Sequence, residues 1–91
     1  MNKSELVKSL SETHQLSGDE AAVVVNTFFD CVRDALLEGD RVEIRGFGSF
    51  KVKEYQGYKG RNPKTGDPVA VPSKRLPVFR AGKELKDILN P

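Results

Sequence analysis

Up to about residue 38 the apolar residues of this chain recur at helical spacing, and beyond it they alternate. Asn2 followed by Glu5 has the form of a capping box, in which each residue satisfies a free backbone N–H at a helix start. Leu6, Val7 and Leu10 then predict a short amphipathic helix over residues 3–14. Ser17 with Glu20 repeats the start signal for a second helix that runs to about Glu38 and stops at Gly39. On that helix Ala22, Val25, Phe29, Val32 and Leu36 form one apolar stripe, with Ala21, Val24, Phe28, Cys31 and Ala35 beside it. An arc this wide exceeds what one short helix and a small sheet can cover in a single chain. Dimerisation through the second helix is the reading that buries it.

The period then becomes two. "RVEIR" places Val42 and Ile44 on one face, and "SFKVKEY" alternates Phe50 and Val52 with Lys51 and Lys53. Gly46 and Gly48 bracket Phe47 in a tight connection where positive φ is tolerated. From Tyr55 apolar content falls, until "PVAVP" resumes strand character between Pro68 and Pro72. Proline donates nothing to a β-ladder and is confined to edges and bulges, so these prolines fit a protruding two-stranded ribbon. "LPVFR" re-enters the core at Val78 and Phe79, and residues 82–90 close as a short helix with Leu85, Ile88 and Leu89 facing inward. The aromatics Phe47, Phe50 and Phe79 are expected to fill the core. With Val25, Phe28, Phe29, Val32 and Leu36 they make the expected dimer core.

Charge sharpens this division. Residues 1–44 carry four Lys/Arg against nine Asp/Glu, whereas residues 45–91 carry eleven against four, so a net charge of +2 conceals an acidic half and a basic half. Only the second half suits a polyanion. At 91 residues the chain is one small domain, whose lone core would be marginal without a further source of buried surface. Its single cysteine and single histidine rule out an intrachain disulfide and leave no protein-built zinc site, so a partner subunit remains. Cys31 itself reads as a small buried apolar residue. His14 reads as a solvated residue favoured by the end of the first helix. The polar N-terminus and the lack of a long apolar run point to a cytoplasmic protein, not a membrane or secreted one. No nucleophile, carboxylate cluster or second histidine supports an enzyme, a cofactor or a small-molecule substrate.

Three segments, "EIRGFGSF" at 43–50, "GRNPKTG" at 60–66 and "FRAGKELK" at 79–86, resemble the signatures of the bacterial HU/IHF family of DNA-bending proteins, and the resemblance spans the chain. It implies an α+β fold and an intertwined dimer: a helical base of two N-terminal helices, a β-sheet saddle with long β-ribbon arms, and a short C-terminal helix. Residues 1–52 would form the dimerisation body, 53–76 the arm, and 77–91 the returning strand and last helix. The family's arms wrap the minor groove of double-stranded DNA, and a proline at each tip wedges between base pairs. That residue corresponds to Pro63.

Beside it, Arg61 and Asn62 are candidates for minor-groove acceptors. Lys53, Lys59, Lys64, Lys74, Arg75 and Arg80 are candidates for phosphates along arm and saddle. Lys83 and Lys86, in the opening turns of the last helix, oppose the helix dipole and are better explained by a phosphate. Arg45 should point out of the saddle if Ile44 points in. The ascending arm departs from the family at Tyr55 and Tyr58, where arginines are common. The expected function is architectural: bending and compacting duplex DNA in the bacterial nucleoid as a homodimer, with low sequence specificity. The alternatives are a site-specific IHF-like subunit paired with a paralogue, or a dimeric module whose basic ribbon grips an acidic protein.

Overall fold

A computed structural model describes all residues, Met1 to Pro91. Helix α1 spans Lys3–His14, and its cap is half of the expected box: the Asn2 side chain accepts the Glu5 N–H at 2.9 Å, with no return bond from Glu5. Helix α2, Gly18–Leu37, has the full box, with Ser17 N–H donating to Glu20 Oε1 at 3.0 Å and Glu20 N–H to Ser17 Oγ at 3.1 Å. The backbone N–H of Ser17, followed by its hydroxyl, holds the Glu20 carboxyl below its ordinary pKa.

Strands β1 (Val42–Ile44), β2 (Gly48–Tyr55) and β5 (Lys74–Ala81) form an antiparallel sheet in the order β1-β2-β5. The tight β1–β2 turn uses positive φ at Gly46 but not at Gly48. Glycine is needed at 48 for another reason. A β-carbon there would lie 2.5 Å from the Arg80 carbonyl oxygen and 2.7 Å from the Phe79 ring, so β5 can close on β2 only over a bare backbone. Pairing then runs unbroken from Gly48↔Ala81 to Tyr55↔Lys74. After irregular pairs at Gln56-Gly57 and Pro72-Ser73, β3 (Tyr58–Arg61) and β4 (Pro68–Val71) continue as a separate two-stranded ribbon. Helix α3 is short, Lys83–Leu89.

The single chain is far from a closed globule. Its radius of gyration is 19.2 Å, against about 12 Å for a compact domain of this length. Only Ala21 and Val25 are buried, both on α2 where α1 and the sheet meet it. Phe28 and Phe29 pack edge to face, with centroids 5.2 Å apart, yet remain 45% and 46% exposed.

Several expectations of burial fail within one chain. Phe79 bridges Phe47 and Phe50 at 5.4 and 4.9 Å, so the aromatic cluster forms, but Phe47 and Phe79 are 44% and 42% exposed. Ile88 and Leu89 do not face inward and are among the most exposed apolar residues, while Leu85 alone is half-buried. Cys31 is exposed, not buried. The common reason is that their stripes point where this chain has nothing to place. An apolar groove of about 410 Å³ between Phe29, Val32 and Leu36 of α2 and Val52, Leu76 and Pro77 of the sheet has the same character.

Candidate nucleic-acid interface

Strand alternation sorts the basic residues onto faces. In β2, Phe50 and Val52 pair with Phe79 and Pro77 on the side toward α2, which leaves Ser49, Lys51, Lys53 and Tyr55 on the outer face. Cross-strand pairing adds Arg80, opposite Ser49, and Lys74, opposite Tyr55. Lys53, Lys74 and Arg80 therefore share one surface, as expected. Lys51 belongs with them, and its place was readable from the same alternation.

Arg75 does not share that surface. It pairs with Glu54 on the α2 side, and its guanidinium donates to the Leu36 carbonyl at 3.4 Å and lies 3.8 Å from the Glu54 carboxylate. Leu36 lies in the last turn of α2, where its carbonyl already accepts the Gly39 N–H at 3.0 Å and where the helix end favours a cation. Arg75 is a helix-capping residue, and only its long-range contact reveals it.

At the other end of the sheet, Arg41, Arg45, Arg80, Lys83 and Lys86 surround an open concavity of about 810 Å³. Arg45 is exposed at the β1–β2 turn, consistent with its expected direction. Arg41 was not foreseen: it precedes β1 and pairs with Glu43, also on the rim. The last helix does not hold its two lysines against its dipole as expected. Lys83 ion-pairs with Asp87 at 2.9 Å, one turn on, and Lys86 belongs to the last turn, where a cation is favourable. Both nonetheless remain exposed on the basic rim.

The ribbon ends in a turn whose backbone closes on itself. Asn62 N–H donates to the Asp67 carbonyl at 2.8 Å, Gly66 N–H to the Asn62 carbonyl at 2.7 Å, and Lys64 N–H to Asn62 Oδ1 at 2.9 Å. Asn62 thus shapes the tip, and of its amide only the donor end stays free. That end matches the acceptors of a minor groove. Pro63 and Lys64 follow it, exposed in the turn. Gly66 has φ of 72°, the left-handed conformation the turn requires, whereas Gly60 has no positive φ and sits in β3 as an ordinary strand residue.

Within the ribbon, Lys59 and Arg61 share a face with Ala70 and Pro68, while Tyr58, Val69 and Val71 line the opposite one. The register offset is the same in the ribbon as in the body sheet, from Tyr55↔Lys74 to Tyr58↔Val71. A cleft of about 490 Å³ at the ribbon's root gathers Tyr55 and Lys74 with Tyr58, Val71 and Pro72. Tyr55 lies between two cations, with Lys53 Nζ 5.3 Å and Lys74 Nζ 6.0 Å from its ring centroid.

The chain is similar to known proteins along almost its whole length. DNA-binding protein HU-1 of Halalkalibacterium halodurans is 46% identical over 87 residues, covering 96% of this chain and 97% of its own length. DNA-binding protein HU 1 of Bacillus subtilis is 44% identical, with 96% and 95% covered. Among solved structures, an Anabaena HU–DNA cocrystal superposes with a TM-score of 0.87 at 36% identity, covering 100% of this chain and 99% of the other. HU from Thermotoga maritima gives 0.70 at 26% identity, with 98% of each covered. The family described as bacterial DNA-binding protein matches residues 1–90, and this chain belongs to it.

Proposed function

We propose that this protein is an architectural DNA-binding protein: a homodimer that bends and compacts duplex DNA by laying its ribbons along the minor groove, with Pro63 as the wedge. The observation that carries the reading is the ribbon itself. It projects beyond the sheet and ends in the hydrogen-bonded turn at Asn62, with Pro63 exposed. A proline ring is apolar, rigid and free of an N–H that would need desolvation. Unstacking one base step costs about a few kcal/mol, offset by the protein surface that the bent duplex then touches. Smooth bending costs about 1–6 kcal/mol, a sum that phosphate contacts from the outer sheet face and the basic rim can match.

The dimer supplies what one chain lacks. A second copy would cover the Phe28–Phe29 face and the groove between α2 and β5. Homologues named DNA-binding protein HU and the Anabaena HU–DNA cocrystal support the DNA reading. Their family is one of architectural proteins, not enzymes. Work inside the bacterial cell, at the nucleoid, follows from that role, and no helix is long and apolar enough to cross a membrane.

The test is a salt titration of binding to a short duplex of random sequence. If about ten phosphates are neutralised, log K falls against log salt with a slope of about −9. Retained affinity for an acidic protein with none for duplex would overturn the reading in favour of a protein-interaction module.

A further inference from the structure

Tyr55 stands where the outer face of the body sheet meets the ribbon. Its register partner is Lys74, and Lys53 is its neighbour two residues back on the same face. Both ammonium groups lie over the one ring, at 5.3 and 6.0 Å from its centroid. Neither has a carboxylate partner, although Glu54 is adjacent in sequence, because Glu54 points to the other face and lies against Arg75. Two like charges on one ring without a counter-anion repel each other, and the negative charge of the ring's π face offsets part of that repulsion. The same place opens onto the cleft lined by Tyr58, Val71 and Pro72. An anion entering there would meet Lys74 and the Tyr55 ring, over which Lys53 also lies.

We infer that Lys53, Tyr55 and Lys74 form a clamp for a single backbone phosphodiester, in which the Tyr55 ring gathers the two lysines onto one phosphate. This rests on the DNA-binding reading and deepens it, since it assigns a role to an aromatic residue at a position where a direct cation would be the simpler contact. The ring is a positioning residue. The lysines make the contact.

Counterion release separates this arrangement from two independent contacts, because the salt slope counts phosphates neutralised, not lysines. The experiment measures log K against log salt on a short duplex for the wild type, Lys53→Gln, Lys74→Gln, the double substitution, Tyr55→Phe and Tyr55→Leu. All positions are exposed, and thermal melting of each variant checks the fold. The clamp predicts that either single lysine change weakens binding yet leaves the slope near that of the wild type. The double change lowers the slope magnitude by about 0.9 for each arm engaged. Tyr55→Phe, which keeps the ring, binds like the wild type, while Tyr55→Leu binds about three- to fivefold more weakly.

Two equal single-lysine losses of slope that add in the double variant would overturn the clamp, as would slopes that never change. Equal affinity for the Phe and Leu variants would remove the ring from it. Each of these leaves the DNA-binding reading standing, whereas a wild type that fails to bind duplex would end both.

Discussion

Two regions of this chain are exposed for opposite reasons. The α2 face and the tips of β5 and α3 expose Phe28, Phe29, Phe79, Ile88 and Leu89, large apolar side chains that water penalises. The ribbon exposes Lys59, Arg61, Pro63 and Lys64, side chains that lose little in water, around a turn that satisfies its own backbone. The first surface is unfinished burial and asks for a second copy. The second surface is complete as it stands and is free to meet something other than its own protein. Exposure alone does not separate them, but the chemistry of what is exposed does.

The comparison breaks most severely if a charge on the first surface is tolerated. Phe29→Asp places a carboxylate in the face that the dimer would bury, which should cost several kcal/mol and abolish the folded state at micromolar concentration. In the wild type the same idea predicts a melting temperature that rises with protein concentration. A hundredfold increase is worth about 2.7 kcal/mol of apparent stability for a chain folded only with its partner. A melting temperature independent of concentration would show that α2 needs no cover.

Gly48→Val tests the joint between the regions. Its side chain would enter space held by the Arg80 carbonyl and the Phe79 ring. The expected loss is about 1–3 kcal/mol in denaturant unfolding, the range for forced overpacking. A neutral result would mean that β5 can retreat from β2 without cost.

These joints also mark the limit of what the sequence discloses. The two N-terminal helices, the capping box of Ser17 and Glu20 on α2, and the alternation of Phe50 with Lys51 are local signals, set by neighbours three or four residues away or by the strand pleat. The tip was likewise legible, since "GRNPKTG" holds the Asn62 turn and the Gly66 conformation within seven residues. What escaped reading depends on partners distant along the chain. Arg75 caps Leu36 from 39 residues away, and Tyr55 meets Lys74 only because the register of β2 and β5 makes them opposite. Arg75 looked like a phosphate contact because it lies in a basic stretch, and only pairing showed which way it points. Ile88, Leu89 and Cys31 escaped because apolar character tells that a side chain wants cover, not which chain provides it.

The smallest expected effect is on pH. The folded pKa of Glu20 is depressed by its bonds to Ser17, so its contribution is present above the unfolded pKa and fades as pH falls through the folded one. Glu20→Gln should therefore flatten the decline of stability as pH falls through and below the ordinary carboxylate range, with little change at neutrality. Guanidinium unfolding at a series of pH values checks it, and parallel curves for the two proteins would deny the cap its charge.

The most direct measurement is of bending by Pro63→Ala, using a short duplex with a fluorophore at each end. The substitution lies on the complete surface, so melting should change by less than about 0.5 kcal/mol. Binding affinity should fall only modestly, because the phosphate contacts remain, while end-to-end approach of the fluorophores falls strongly. A Pro63→Ala protein that bends DNA as fully as the wild type would contradict the wedge at the ribbon tip.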